Sequence, residues 1–515
     1  MAKYLLNNRD EKIIPRILVD FVLAHAAAIL ALGLPVVYHA ISADGDQAVA
    51  LARVARRYYV EAFTPLSLVF PFAFFLNGFY TGAQGYAGRY KALVIMRGVL
   101  SGAFLFALGN YLFFKSIQPV TPSMAAVGVI VAAAAASARL TKATIVGHSL
   151  KNAAAVHHTP PTVLVVGGAG YIGSTLVRRL LDKGYNVRIL DNLLYGDGAI
   201  SDILNDRRVD LRVGDCRNIQ NVIAAVNGVE SIVDLAAIVG DPACELDHQT
   251  ALEINYAATR MLIEVAKGDG VRRFVFASSC SVYGATETVV DETSSTAPLS
   301  VYARTKIDSE DALIQATDQK FHPTILRLAT VFGKSYRPRF DLVVNLLTAK
   351  AHTESVITIY NGEQWRPFIH VDDVAQAILK VLGAPLDTVG GQIFNVGDSR
   401  LNHTLTDVAA KIRRYFPDTR VMHIDNNDRR NYRVSFDKIR NRLGFVCHLN
   451  LDYGISELKQ AFEDGKIVDY TDVRYHNQRY LQLQGGPAKM AAIDTKVMAA
   501  FASDKSEAQG SFVPI

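Results

Sequence analysis

The sequence predicts a doubly wound α/β sheet from residue 162 onward, behind an all-α N-terminal region of four membrane-length helices. Three observations carry this. Short β-branched runs alternate with helical stretches, a glycine-rich turn joins the first run to its helix, and the apolar excess lies in the first third of the chain. Of the 515 residues, 50% are hydrophobic and 20% charged, with a mean hydropathy of +0.15. That is apolar for a water-soluble enzyme of this length. The net charge of +5 comes with no long basic run, so no nucleic-acid partner is expected. The four cysteines, Cys216, Cys244, Cys280 and Cys447, are scattered without a CxxC pair or metal-ligand spacing. They suit a reducing compartment, and no metal is expected.

The apolar segments are 21–38, 63–80, 92–114 and 119–137, each close to the roughly 20 residues a helix needs to cross a bilayer. They predict a transmembrane domain over residues 1–147 with membrane lipid as its partner. Lys3, Arg9, Lys12 and Arg16 precede the first segment, Arg89 and Lys91 lie between the second and third, and Arg139, Lys142 and Lys151 follow the fourth. With four crossings these fall on one side, which places both ends in the cytoplasm. Arg53, Arg56 and Arg57 in the first loop run against that rule, as an amphipathic interfacial helix would. Residues 148–161 read as a polar linker ending in Pro-Pro, 162–485 as the α/β domain, and 486–515 as a mobile tail with a short helix within 490–502.

In the α/β domain, TVLVV (162–166), NVRILD (186–191), DLRVGD (210–215), SIVDLAA (231–237), RRFVFASS (272–279) and PTILRLAT (323–330) are the expected parallel strands. The turn Gly167-Gly168-Ala169-Gly170-Tyr171-Ile172-Gly173 follows the first and opens a helix. Glycines there let backbone approach a pyrophosphate, and the helix N-terminus favours its charge. The domain is therefore Rossmann-type. Asp191 ends the next strand, 18 residues past Gly173, near the position of a ribose 2′-hydroxyl partner. Asn192 and Leu193 follow it rather than an arginine for a 2′-phosphate, which favours NAD over NADP.

SVYARTKIDSE (300–310) sets Tyr302 and Lys306 four apart, on one helix face. A buried ammonium beside a phenol lowers the phenol's pKa, and such a tyrosine can exchange a proton in alcohol–ketone chemistry. ASSCSVYG (277–284) adds the Ser279 hydroxyl for the same substrate oxygen.

Together, GGAGYIG, Asp191, SSCSVYG and YARTK resemble the extended short-chain dehydrogenase/reductases that act on nucleotide sugars, and most of all the group of UDP-galactose 4-epimerase and the sugar-nucleotide epimerases and dehydratases. The resemblance spans about residues 162–475. It implies that Gly167, Gly170, Tyr171, Ile172 and Gly173 form the NAD pyrophosphate loop, and that Asp191 and Asn192 hold the adenosine ribose. Asp215 and Cys216 would flank the adenine, Leu235, Ala236 and Ala237 would line the cofactor, and Asn255 would sit near its ribose or nicotinamide end. Tyr302 would be the general base and acid, Lys306 would bind the nicotinamide ribose, and Ser279 would be the third catalytic member. WRPFIHVDDVAQAI (365–378) matches a family signature in which Arg366 meets the nucleotide diphosphate, with Arg430 and Tyr432 of a later segment near the nucleotide. These belong to a smaller C-terminal substrate-binding subdomain, mostly after residue 335.

The sequence departs from the family in three places. Cys280 and Ser281 stand where the dehydratases carry an Asp-Glu pair and the decarboxylases a Glu. Thr330 replaces a common Asn in the substrate site, and Asp425 stands about where the 4-epimerase has a second phosphate-binding Arg. The expected function is a membrane-anchored NAD-dependent epimerase of a nucleotide-linked sugar, with UDP among the candidate nucleotides and C4 as the carbon inverted. The four-helix region also resembles that of membrane-bound enzymes of bacterial surface polysaccharide synthesis, which implies a bacterial inner membrane with the catalytic domain inside. The alternatives are a polyprenyl-diphosphate-linked sugar as substrate, net reduction or dehydration as reaction, and a non-catalytic NAD-binding scaffold. Family members often form homodimers.

Overall fold

The structure is a computed structural model that describes residues 13–42, 45–76, 101–102, 161–426, 428, 430–483, 498 and 501. The chain divides into two compact units, Met1–Thr159 and Pro160–Ile515. In the first, helices α1 (Ile13–Ile41) and α2 (Gly45–Leu76) form an antiparallel hairpin. The His25 ring joins them, with Nδ1 3.1 Å from the Tyr59 hydroxyl and Nε2 3.0 Å from Ser67 Oγ.

The four-span domain is not borne out: among the described residues no helix is long and apolar enough to cross a membrane. Charge placement gives the physical reason for α2. It starts at Gly45 and carries Asp46, Arg53, Arg56, Arg57 and Glu61 before its apolar end, so the expected first loop is itself helical. Its apolar part, residues 63–76, falls short of the roughly 20 residues a crossing needs. In α1, Arg16 and Asp20 precede the apolar run, His25 lies within it and His39 follows it. Segments 92–114 and 119–137 lie outside the described residues apart from Ser101 and Gly102, as does the 148–161 linker apart from Pro161.

The second unit is the expected doubly wound fold. Its strands are β1 (Thr162–Val166), β2 (Asn186–Asp191), β3 (Val209–Val213), β4 (Ser231–Asp234), β5 (Arg273–Ser279), β6 (Ala285–Val290), β7 (His322–Leu328), β8 (Thr330–Phe332), β9 (Val356–Tyr360), β10 (Trp365–His370), β11 (Gln392–Val396), β12 (Asn402–Thr404), β13 (Arg420–Ile424) and β14 (Asn431–Val434). A seven-stranded sheet runs β3-β2-β1-β4-β5-β7-β11, with every pairing parallel. Helices cover both faces, so its inner strands read as unbroken apolar runs: Leu164, Val165, Ile189, Val233, Val275 and Leu326 are fully buried.

The sequence runs for β1 and β2 coincide with the strands. The run 231–237 is strand only to Asp234, because the chain bends away beside Gly167. The smaller part is built from the β8-β10-β12 sheet and the β9-β13 and β6-β14 pairs. It is not simply the chain after residue 335, since β11 returns to the main sheet and β6 comes from before residue 300. In the tail, Met498 and Phe501 are helical and buried, and Arg260 donates to the Phe501 carbonyl. The rest of 486–515 lies outside the described residues.

The site follows from the strand order. β1 lies between β2 and β4: the chain runs from β1 to β2 and β3 on one side and crosses back from β3 to β4 on the other. The crevice at the carboxyl ends of those strands is where such folds bind nucleotides. The glycine turn, Asp191, residues 235–237 and Ser279 all lie at those ends.

Candidate active site

The glycine turn is as tight as its composition requires. Gly167 has φ +82°, a conformation costly for residues with a Cβ, and a Cβ there would also meet Ala236 N at 3.0 Å and Leu235 C at 3.2 Å. A Cβ on Gly173 would overlap the Gly167 carbonyl oxygen and lie 2.7 Å from Gly168 Cα. Close backbone packing is thus the reason for glycine at both positions. Helix α3 (Tyr171–Asp182) starts in this turn with no side-chain cap on its N-terminus. Its first backbone N–H groups suit an anion. Tyr171 does more than shape the loop: its hydroxyl donates to Gly333 O at 2.7 Å, tying the loop to the segment after β8. Ile172, half-buried, packs against the core.

Asp191 accepts from Ala169 N and Leu193 N, each at 2.9 Å, one bond per carboxylate oxygen. Burial raises its pKa, and the remaining lone pairs are placed for ribose hydroxyls. Asn192 instead turns onto its own backbone, accepting from Leu194 N at 3.0 Å. Asp215 forms an ion pair with Arg217, which also reaches Glu253 at 2.9 Å. Cys216 packs with Leu194, Val301 and Tyr302 against a small apolar cluster, and burial pushes its thiol pKa up.

Leu235, Ala236 and Ala237 pass beside Gly167, as expected of a cofactor wall. Asn255 does not face that way. Its amide accepts from Ile238 N at 2.8 Å and donates to Ile238 O at 2.9 Å, so it clamps the wall from behind. It sits in a π-helical turn, Glu253–Ala257, and is fully buried.

Helix α4 (Val301–Ala316) carries the predicted catalytic pair. Ser300 caps it by accepting from Ala303 N at 3.2 Å. Ser309 fixes it by donating to Asn255 O at 2.8 Å. Tyr302 lies near Ser279, whose hydroxyl pulls the phenol's pKa down. Ser279 Oγ also accepts from Ser281 N and Ser281 Oγ, at 3.2 and 2.9 Å. Lys306 lies beneath, only 2% exposed, with its ammonium 5.7 Å from the centre of the Tyr302 ring.

The expected depression of the tyrosine's pKa is not found. Tyr302 keeps some exposure, yet desolvation dominates and raises its pKa above the ordinary phenol value, and the nearby Cys244 and Asp241 add to the rise. Lys306 does not offset this, because its ammonium donates to Ala277 O at 2.8 Å and faces Asp234. Burial lowers the Lys306 pKa to about 8 and raises that of Asp234 to about 6.

Two residues that sequence reading missed fix the end of β5. Glu310 on α4 pairs with Arg327 on β7 at 2.7 Å, both buried, and accepts from Ser278 Oγ. Arg327 donates to the Tyr283 hydroxyl at 2.9 Å, which donates to Asn395 at 2.8 Å. Cys280 is buried and donates to Arg327 O. In the sequence these residues are far apart, and only the β5–β7 pairing brings them together.

Across the crevice, Arg366 is 7% exposed, with Tyr432 beneath its guanidinium at 5.6 Å. Arg366 donates to Trp365 O, Arg430 O and Gln364, and lies 3.4 Å from Asp428. Arg430 pairs with Asp428 at 2.6 Å and with Asp241 at 2.7 Å. Arg366, expected at the diphosphate, and Arg430, expected near the nucleotide, are therefore both within ion-pair distance of carboxylates, Asp428 for the first and Asp428 and Asp241 for the second, while Asp425 is exposed. Thr330, half-buried, opens β8 and pairs in register with Phe368.

The residues present fit a dinucleotide: a glycine turn that admits no Cβ at Gly167 or Gly173, an uncapped helix N-terminus, a half-buried acid at the end of β2, and a phenol and a hydroxyl near one another at the far end. Residues 163–397 match the model of the NAD dependent epimerase/dehydratase family. The chain is 32% identical over 255 residues to an uncharacterized UDP-glucose epimerase, YtcB, of Bacillus subtilis (strain 168), covering 46% of this chain and 76% of that one. The chain belongs to the NAD-dependent epimerase/dehydratase family. NAD is its cofactor. It is also 28% identical over 241 residues to mouse sterol-4-alpha-carboxylate 3-dehydrogenase, decarboxylating, covering 45% of this chain and 62% of that one. Among solved structures, MoeE5 in complex with UDP-glucose and NAD is 26% identical, with a TM-score of 0.53, over 59% of this chain and all of that one. The family thus embraces nucleotide-sugar epimerases and dehydratases, and this chain is an enzyme of that kind.

Proposed function

We propose that this family member epimerises a nucleotide-linked sugar at C4 by way of a transient ketone. The observation that carries the proposal is the placement of the Tyr302 ring near a buried Lys306, whose ammonium lies 5.7 Å from the ring centre, with Ser279 close by at the end of β5. A second feature narrows the reaction. The positions after Ser279 hold a buried Cys280 and Ser281, so the acids that would drive loss of water or carbon dioxide from the sugar are missing there.

In the free protein the phenol is protonated, because desolvation outweighs every favourable charge around it. When bound, NAD supplies the hydride acceptor and a positive ring. Tyr302, having given up its own proton to solvent as NAD and the sugar bind, would then take the proton of the sugar hydroxyl onto its phenolate oxygen, and Ser279 would donate a hydrogen bond to the same oxygen of the sugar. Tyr302 returns the proton once the ketone has turned over and regained hydrogen on its other face. Proton transfer of this kind contributes about 10²–10⁴-fold to a rate. Arg366, Arg430 and Tyr432 hold the nucleotide end, and the diphosphate displaces Asp428 and Asp241 from the two guanidiniums.

The similarity to a UDP-glucose epimerase and to a protein solved with UDP-glucose makes UDP-glucose the first substrate to test. Purified protein is expected to interconvert UDP-glucose and UDP-galactose, or another pair among UDP-, GDP-, CDP- and dTDP-sugars, without consuming NAD. Failure with every such sugar overturns the proposal.

We also propose a location at the cytoplasmic face of the bacterial inner membrane. Apolar segments 92–114 and 119–137 support it, as do exposed apolar side chains on α1 and α2, among them Leu30, Leu34, Tyr38 and Phe72. Full-length protein is expected in the membrane fraction after an alkaline wash. Release into the supernatant overturns this.

A further inference from the structure

Among the described residues, four arginines of the second unit are less than a tenth exposed: Arg217, Arg327, Arg337 and Arg366. Arg217, Arg327 and Arg366 each have a carboxylate within ion-pair distance. Arg337, at 7% exposure, has none. Its Nη2 donates to Asn477 Oδ1 at 2.7 Å and to Arg474 O at 3.2 Å, while its Nε finds no partner. A buried cation served only by neutral acceptors is costly unless an anion completes it.

The position of Arg337 names that anion. It lies in the segment that follows β8, and Ser335 of that segment donates to Tyr171 O at 2.5 Å and meets Ser174 at 3.2 Å. Arg337 is thereby fastened beside the glycine turn. Its guanidinium stacks 3.7 Å above the Tyr195 ring, four residues after the ribose acid Asp191. Asp191 feels the positive charge. By contrast Arg339, two residues on, is already paired with Asp341 at 2.7 Å.

The C-terminal end of the unit holds Arg337 there. Residues 474–483 end in helix α5 (Asn477–Leu483), which reaches both rims of the crevice. On one rim, Asn477 holds Arg337 and the Tyr480 ring sits 4.9 Å from Tyr195. On the other, Asn477 donates to Val239 O at 3.5 Å, and Leu481 packs with Ile238, Cys244 and Ile254, the cluster against which Tyr302 rests.

We propose that Arg337 binds the pyrophosphate of the cofactor, and that residues 474–483 form a strap that holds Arg337 in place and retains NAD through repeated turnovers. This rests on the family assignment but goes beyond it, since neither the glycine turn nor the Tyr302 helix requires a C-terminal strap.

The test is NAD binding and release by the full-length protein, followed by calorimetry and by stopped-flow displacement. Arg337→Met is expected to weaken NAD by about tenfold to a hundredfold, the loss of one charge-assisted contact. It should leave adenosine, which lacks phosphate, unaffected. Arg337→Lys should recover part of the affinity, and Asn477→Ala should speed NAD release. A folded Arg337→Met protein with NAD affinity like that of the wild type overturns the inference, as does loss of NADP binding alone. Wild-type protein that binds no NAD at all sinks the family's cofactor assignment instead.

Discussion

Tyr302→Phe is expected to lower turnover by about a thousandfold while leaving NAD affinity within about twofold. In the proposed mechanism the phenol exchanges the proton of the sugar hydroxyl. Ser279 Oγ accepts from Ser281, and the Lys306 ammonium is committed to Ala277 O. Phenylalanine keeps the ring that packs against the Ile238–Cys244 cluster, so the fold and the cofactor cleft survive. Steady-state kinetics together with calorimetry separate the two effects. A variant that retains NAD but has lost all turnover also distinguishes an enzyme from a scaffold, and a fully active Tyr302→Phe protein would remove the basis of the mechanism.

The second large effect is on stability. Glu310→Ala is expected to destabilise the second unit by about 3–5 kcal/mol, because it leaves the Arg327 guanidinium buried without its anion. Glu310 and Arg327 are 4% and 6% exposed in their side chains, so water cannot readily replace the lost partner. Ser278 loses its acceptor in the same change, and Tyr283 is left holding an unpaired cation. Urea denaturation should show a lower midpoint. Glu310→Leu combined with Arg327→Met should recover most of the loss, since replacing both members removes the buried charge altogether. A midpoint unchanged in Glu310→Ala would show that the pair is solvated.

How much of this was legible in the sequence varied with the kind of contact. β1 and β2 were readable to the residue, because strands covered on both faces are unbroken β-branched runs ending in a glycine turn or an acid. Ser279, Tyr302 and Lys306 were readable because one helical turn and one strand end set their spacing. The sequence misjudged the tyrosine's ionisation: the spacing puts Lys306 on the right face, but whether its ammonium serves the phenol or the Ala277 carbonyl depends on depth, which spacing does not encode.

Asn255 and Asn192 were read as lying at the cofactor, and in the structure the Asn255 amide bonds the Ile238 backbone while the Asn192 side chain accepts from Leu194 N. Glu310, Arg327, Asp428 and Arg337 went unread, since their partners come from other strands or from the far end of the chain. The membrane reading rested on apolar run length, on the apolar excess of the first third and on the flanking Lys and Arg. In α2 the charges of the preceding stretch belong to the same helix, which run length does not reveal.

The central claim, that a hydrogen leaves and returns to one sugar carbon within one closed site, is tested most directly with isotope. A nucleotide sugar carrying deuterium at C4 is incubated with purified protein holding its own NAD, and both epimers are examined by mass spectrometry. The expected result is inversion at C4 with the deuterium retained in the product and none released to water or to added NAD. Deuterium lost to solvent, or recovered in the added nucleotide pool, would contradict the account.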